Sequence, residues 1–153
     1  MSNCKKSPLG DLGGFMTTYI QQLENRGIRP TAVRLLVLKA MIESPQAFSL
    51  SSLEETLDTV DKSTLFRTIT LFHNQHLIHS IDDGSGSIKY SVCSSDCMCR
   101  IKDLHAHFYC DNCKKTFCMK TVPIPDVELP KKFVLSSVNF VLKGLCEGCS
   151  KTR

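Results

Sequence analysis

Three observations predict an α+β fold for this 153-residue chain. Amphipathic helical patterns crowd residues 15–75, a period-2 hairpin pattern follows at once over 77–92, and two Cys-x-x-Cys pairs close the last third. Helices followed directly by a hairpin make an N-terminal winged helix-turn-helix arrangement. The cysteine-bearing remainder is expected to form a small second α+β domain. The chain then divides into a flexible lead-in (1–14), a first domain (15–92), a hinge (93–104) and a second domain (105–153).

Each element has a local cause. The lead-in carries Pro8, Gly10, Gly13 and Gly14, and Cys4 within it is read as incidental. Residues 15–26 present Phe15, Tyr19, Ile20 and Leu23 on one face, and Gly27 stops that helix. Thr31 caps a second helix reaching about Ser44, whose apolar face is Val33, Leu36, Val37, Ala40 and Met41. A short third helix starts at Ser49 or Ser51 and ends near Thr59, Ser51 and Glu54 having capping-box spacing. The fourth begins near Asp61 or Ser63 and ends near Gln75. It turns Leu65, Ile69 and Phe72 inward and Ser63, Phe66, Arg67, Thr70 and Asn74 outward. Residues 77–81 and 88–92 flank the glycine-rich turn 82–87.

Beyond the hinge, residues 105–109 and 115–119 read as strands, and a last strand is expected over 134–145. Pro123, Pro125 and Pro130 leave room for about one helical turn, at 126–129.

The net charge of +4 mildly suits an anionic partner, but its placement weakens that argument. Residues 1–92 carry nine basic and nine acidic side chains; the excess, ten against six, lies in 93–153. The first residues lead into no apolar segment, and no stretch approaches the roughly 18 apolar residues of a membrane span. The expectation is a soluble cytoplasmic protein, without a membrane partner, whose nine cysteines are reduced thiols. A zinc enzyme is disfavoured, because no His-x-Glu or His-Glu-x-x-His motif is present.

Cys110/Cys113 and Cys146/Cys149 each place two thiolates beside a tight turn, and two such turns complete a tetrahedral four-sulfur shell for structural Zn²⁺. Disulfides or a redox dithiol are the competing reading. His105 and His107 alternate by two, so on a strand both imidazoles face one side, as metal ligands must. A pair of surface histidines is the plain alternative. His73, His76 and His79, spaced by three at a helix end and strand start, read as solvated side chains, with His76 in the position where a left-handed glycine is usual. On the fourth helix, Ser63, Phe66, Arg67 and Thr70 have the chemistry to meet phosphates, base edges and thymine methyls. The competing reading tucks Phe66 under the hairpin and leaves Arg67 merely solvated.

Taken in order, Arg29-Pro-Thr-Ala-Val-Arg34, Ser63-Thr-Leu-Phe-Arg-Thr-Ile69, Tyr90, His105-Ala-His-Phe-Tyr-Cys-Asp-Asn-Cys113 and Gly144-Leu-Cys-Glu-Gly-Cys149 resemble the ferric uptake regulator family over residues 15–149. The resemblance implies a homodimeric, metal-responsive transcription regulator, usually a repressor, tied to processes such as iron homeostasis. It implies contacts to double-stranded DNA, at a roughly palindromic AT-rich operator, from Arg29, Arg34, Ser63, Thr64, Phe66 and Arg67. Phe66 stands where the family has Tyr, which predicts a weaker or altered base preference. Cys118 falls at a family carboxylate ligand, giving a candidate sensing site of His105, His107 and Cys118, soft enough to favour Zn²⁺ over Fe²⁺ or Mn²⁺. Other family ligands fall at Ala47, Ser91 and Leu145, so the usual coupling through the DNA-binding half is expected to be lost. Completion of the site by one of Cys93, Cys97 and Cys99 in the hinge is the first reading of those thiols, and three inert hinge cysteines compete with it. A haem- or redox-sensing regulator on the same fold is the alternative, as is a zinc-ribbon adaptor that binds no DNA.

Overall fold

The computed structural model describes residues 12–93, 105–136 and 138–151. Most of the expected lead-in, with Cys4, and the hinge cysteines Cys97 and Cys99 lie outside the described residues.

Helix α1 (Leu12–Glu24) begins inside the expected lead-in. It ends at Gly27, φ 67°, with the Ile28 N–H returning to the Leu23 carbonyl at 2.9 Å. Thr31 caps α2 (Ala32–Glu43), its hydroxyl accepting the Arg34 N–H. A two-residue strand, β1 (Phe48–Ser49), is too short to leave a periodic signal and was not predicted. Ser49 then caps α3 (Leu50–Thr56), and its box partner is Ser52, three residues on, in place of the expected Ser51/Glu54 pairing. A cap of this kind is worth about 1 kcal/mol. Asp61 caps α4 (Lys62–Asn74), accepting the Ser63 and Thr64 N–H groups at 2.9 and 3.2 Å. His76 takes the left-handed conformation expected of it, φ 55°.

Strands β2 (Ile78–Ile81) and β3 (Lys89–Val92) pair antiparallel, Ile78 opposite Val92 and Ile81 opposite Lys89, and β1 adds to the far side of β3. Helices and hairpin share one core, in which Leu23, Val37, Leu38, Leu53, Leu65 and Phe72 are wholly buried. Truncating one of these, such as Leu65→Ala, removes about 2–5 kcal/mol through lost burial and the cavity left behind.

The C-terminal half is a second sheet with the order β5-β4-β6. Strands β4 (His105–Cys110) and β5 (Thr116–Pro123) pair antiparallel, and β6 (Val141–Gly144) joins β4 in parallel. The strand expected over 134–145 is therefore only four residues long, matching the span His107–Cys110 that β4 offers it. Residues 126–129 form no helical turn. A one-turn helix, α5 (Glu147–Ser150), follows β6. Among the described residues of this half few side chains are buried apolar ones, chiefly Ala106, Tyr109 and Cys110, whereas Val127, Leu129, Phe133 and Val134 are exposed. Such a sheet has too little apolar interior to hold itself and needs other fastenings.

The two sheets face each other by matched alternation. Lys89 and Ser91 of β3 look toward Thr116 and Cys118 of β5, both sets at period two.

Candidate metal centres and DNA-facing helix

Among the described residues two groups of donors converge, each with its ligand atoms within 4.8 Å of one another. The first is Cys110, Cys113, Cys146 and Cys149. Its turn is shaped by Lys114 in a left-handed conformation, φ 61°, and by Lys114 N–H and Cys110 N–H bonds to the Cys110 and Lys115 carbonyls, both 2.9 Å. The parallel β4/β6 pairing carries the second cysteine pair to the first, ending with the Asp111 N–H on the Gly144 carbonyl at 2.7 Å. The Cys146 N–H points at the Cys110 sulfur at 3.3 Å, and the Asn112 amide donates to the Cys149 sulfur at 3.3 Å.

Backbone N–H groups of Cys146 and Cys113 pull the Cys110 thiol down to about 6. Cys113 receives the Lys115 N–H, yet burial and its three sulfur neighbours push it up to about 11. Four thiolates held this close repel one another unless a cation lies among them. Donor set and geometry fit zinc.

The second group is His79, His105, His107 and Cys118. His79 comes from β2, the histidine pair from β4 and the thiol from β5. The expectation that His79 is solvated is wrong: its Nε2 lies 3.1 Å from the Nε2 of buried His107, and its ring sits edge-on to His105. The signal available was its place on the inward face of a strand between Leu77 and Ile81, both buried. Burial first, then the neighbouring imidazoles, lowers His79 to about 3; burial and His105 lower His107 to about 4; burial and Lys120 lower His105. Burial raises the Cys118 thiol, despite its bond to the Ser91 hydroxyl at 3.0 Å. All three rings are therefore neutral near pH 7, with lone pairs available. His105 Nε2 and His107 Nδ1 are buried without a hydrogen-bond partner. Orphaned nitrogens beside a thiol fit a bound cation.

Cys93 is placed beside this group but behind it, its sulfur 3.4 Å from His79 Nδ1. A cleft of about 360 Å³, lined by Cys93, Ser91 and Lys120 among others, reaches this group at Cys118. The positions where the family ligands are missing have other work. The Ala47 N–H bonds the Thr116 carbonyl at 2.8 Å, Ser91 holds Cys118, and Leu145 lines an apolar groove.

On α4, Phe66 is 58% exposed and Arg67 is exposed beside it, so the reading that tucks Phe66 under the hairpin does not hold. Ser63 spends its hydroxyl on Asp61, and Thr64 is half-buried. Arg29 is exposed, while Arg34 donates from Nη1 to the Arg29 carbonyl at 2.7 Å and so shapes the loop that presents it.

The sequence profile described as the Ferric uptake regulator family matches residues 25–143. No curated protein sequence matches the chain. Among solved structures, a zinc uptake regulator complexed with zinc and DNA is similar over 91% of this chain and 95% of its own, at 20% identity and a TM-score of 0.62. A zinc-bound manganese uptake regulator is similar over 84% and 98%, at 17% identity and a TM-score of 0.58. The ferric uptake regulator of Helicobacter pylori is similar over 95% and 97%, at 14% identity and a TM-score of 0.54. Those identities speak for the fold.

Proposed function

Because the chain belongs to the ferric uptake regulator family, whose members are transcription regulators, we propose that it is a zinc-responsive DNA-binding repressor acting as a cytoplasmic homodimer. The observation that carries this reading is the meeting of His79, on the wing-side hairpin, with His105, His107 and Cys118 of the other sheet. His79, His105, His107 and Cys118 would hold a zinc ion there, whose positive charge would join the two halves. Three nitrogens and one sulfur, with no carboxylate, suit Zn²⁺ better than Fe²⁺ or Mn²⁺. The regulator solved with zinc and DNA supports the same choice. The coupling expected to be lost is regained from a residue of a different strand.

The chain's own residues do the rest. His79 and Ser91 sit opposite each other on β2 and β3, so whatever fixes them fixes the hairpin and the α4 packed beside it. Phe66 and Arg67 then point at a major groove, the ring against thymine methyls and the guanidinium at base edges or phosphates; a good bidentate Arg contact contributes about 1–3 kcal/mol. Arg29 reaches phosphate or the minor groove from the loop held by Arg34. The four-cysteine cluster is structural and staples the C-terminal sheet. The exposed apolar side chains Val127, Leu129, Phe133, Val134 and Leu142 belong against a second copy, whose two-fold symmetry calls for a roughly palindromic, AT-rich operator.

Fluorescence anisotropy on an AT-rich palindromic duplex tests the reading. Raising zinc from one to two equivalents per subunit is expected to raise affinity about two- to fivefold, and Arg67→Ala to lower it about 10- to 100-fold. Equal, salt-insensitive binding at both zinc levels would refute it.

A further inference from the structure

The two sheets are joined at a second place that no metal donor occupies. The Asp83 side chain has no solvent exposure and Lys89 only 12%. Lys89 Nζ lies 2.5 Å from an Asp83 oxygen and donates to Thr116 Oγ1 at 2.9 Å and to the Lys114 carbonyl at 3.2 Å. The Thr116 hydroxyl donates in turn to Asp83, closing a triangle, and the Ser85 N–H holds the other carboxylate oxygen at 2.9 Å. Burial would raise the Asp83 carboxyl, but the bonds from Lys89, Ser85 and Thr116 outweigh it and keep the group well below the usual carboxylate range. Lys114 directly follows the Cys110–Cys113 turn and Thr116 opens β5 two residues on, so the wing is fastened beside the four-cysteine knuckle.

Three further contacts sit around this triangle. The Ala47 N–H bonds the Thr116 carbonyl at 2.8 Å, Gln46 bridges to Phe117, and the Asn139 amide donates to the Asp82 carbonyl. Along β3 and β5 the register runs Lys89–Thr116, then Ser91–Cys118. The polar triangle therefore closes one end of the interface and the histidine–cysteine group the other. A buried ion pair adds little net stability against an apolar replacement, but it is exacting about geometry, and removing one partner strands the other. Such a pair specifies an orientation more than it strengthens a fold.

We propose that Asp83, Lys89 and Thr116 form a metal-independent latch that holds the wing against the knuckle sheet and so sets the DNA affinity present before the second metal site fills. This rests on the metal-responsive DNA binding proposed above, and its test includes a readout that does not. With the latch closed, the binding-ready orientation is well populated at one zinc per subunit, and filling the second site gains less. With it open, affinity depends on the second zinc almost wholly, because apparent affinity scales with the fraction already competent.

The test uses the full chain at one and at two zinc equivalents per subunit, comparing wild type with Thr116→Val, Asp83→Asn and Thr116→Ser. Hydrogen exchange of the Ala47 amide reports docking without DNA. It is expected to quicken about tenfold or more in Thr116→Val and Asp83→Asn at one equivalent, to recover at two, and to stay slow in Thr116→Ser, which keeps the hydroxyl. On duplex DNA the two-to-one-equivalent affinity ratio should rise about tenfold in the same two variants, with affinity at two equivalents within about threefold of wild type. Unchanged Ala47 exchange in both variants overturns the latch, as does an equal loss of DNA affinity at both zinc levels. If neither wild type nor variants bind the duplex, the DNA-binding function falls while Ala47 exchange still decides the latch. Thr116→Val, close in size and unchanged in charge, decides the matter should Asp83→Asn not fold; retention of one zinc and slow exchange at Phe72 certify the fold.

Discussion

The four-cysteine cluster and the histidine–cysteine cluster lie on the same sheet, yet they tie together different things. Every sulfur of the first comes from the C-terminal half, from the end of β4 and the turn after it and from the start and body of α5 beyond β6. The second takes His79 from the N-terminal hairpin and its other donors from β4 and β5. A cluster within one half can stabilise that half and nothing else; a cluster across two halves can set their relation. Softness follows the same division, with four sulfurs in the fixed site and a mixed nitrogen–sulfur set in the one expected to exchange its ion.

The largest effect expected from breaking this contrast is at Cys110. Cys110→Ser removes the sulfur best supplied with N–H donors, and the C-terminal half should lose cooperative unfolding and self-association together, seen by calorimetry and analytical ultracentrifugation. A stable dimer of that variant would show that the cluster is not the staple. His79→Gln should instead leave the dimer and one tightly held zinc, while weakening the second zinc by well over the roughly 10- to 100-fold typical of an outer-sphere change, read by competition with a chelator. Loss of both ions in that variant would erase the distinction between the clusters.

Acidification separates them by a third route. An unfolded histidine takes up its proton near pH 6.5, whereas folded His79 and His107 resist it down to about 3 and about 4. The unfolded chain therefore binds more protons through that window, and the stability of protein carrying only the knuckle zinc should fall as pH drops from about 6.5 to about 4. Asp83, with its lowered carboxyl, keeps its contribution until the pH falls below about 4. Urea midpoints at pH 7.5, 6 and 5 measure this, and a flat profile would mean the histidines are not buried together. Smallest is Cys93→Ser, which loosens the outer nitrogen of His79 and should weaken the second zinc about tenfold, leaving its stoichiometry intact.

The helices, the hairpin and the four-cysteine set were legible because each is written in local sequence: a 3.6-residue period around Leu65, Ile69 and Phe72, a glycine-rich turn, a repeated Cys-x-x-Cys. The alternation of His105 and His107 was legible for the same reason. What escaped depends on distance. His79 stands 28 residues from the His107 it meets, and nothing in its own neighbourhood announces the partner. Its spacing from His73 and His76 pointed instead to a helix end. The latch escaped likewise, because Asp83 sits in a turn where aspartate needs no explanation, and only the tertiary fold shows its carboxylate under Thr116. The strand over 134–145 was overextended because apolar residues there also suit a surface awaiting a partner.

The parallel pairing of β6 with β4 imposes a sequence in time on the making of this molecule. A hairpin such as β4–β5 closes locally and presents Cys110 and Cys113 as soon as it forms. Their partners arrive only after a crossover, the bond from Cys146 to Cys110 spanning 36 positions. Closing that loop carries the entropy of every intervening residue, most of it outside any helix or strand. The four-sulfur set is thus complete only once β6 has paired with β4 and the turn Glu147–Ser150 has formed beyond it.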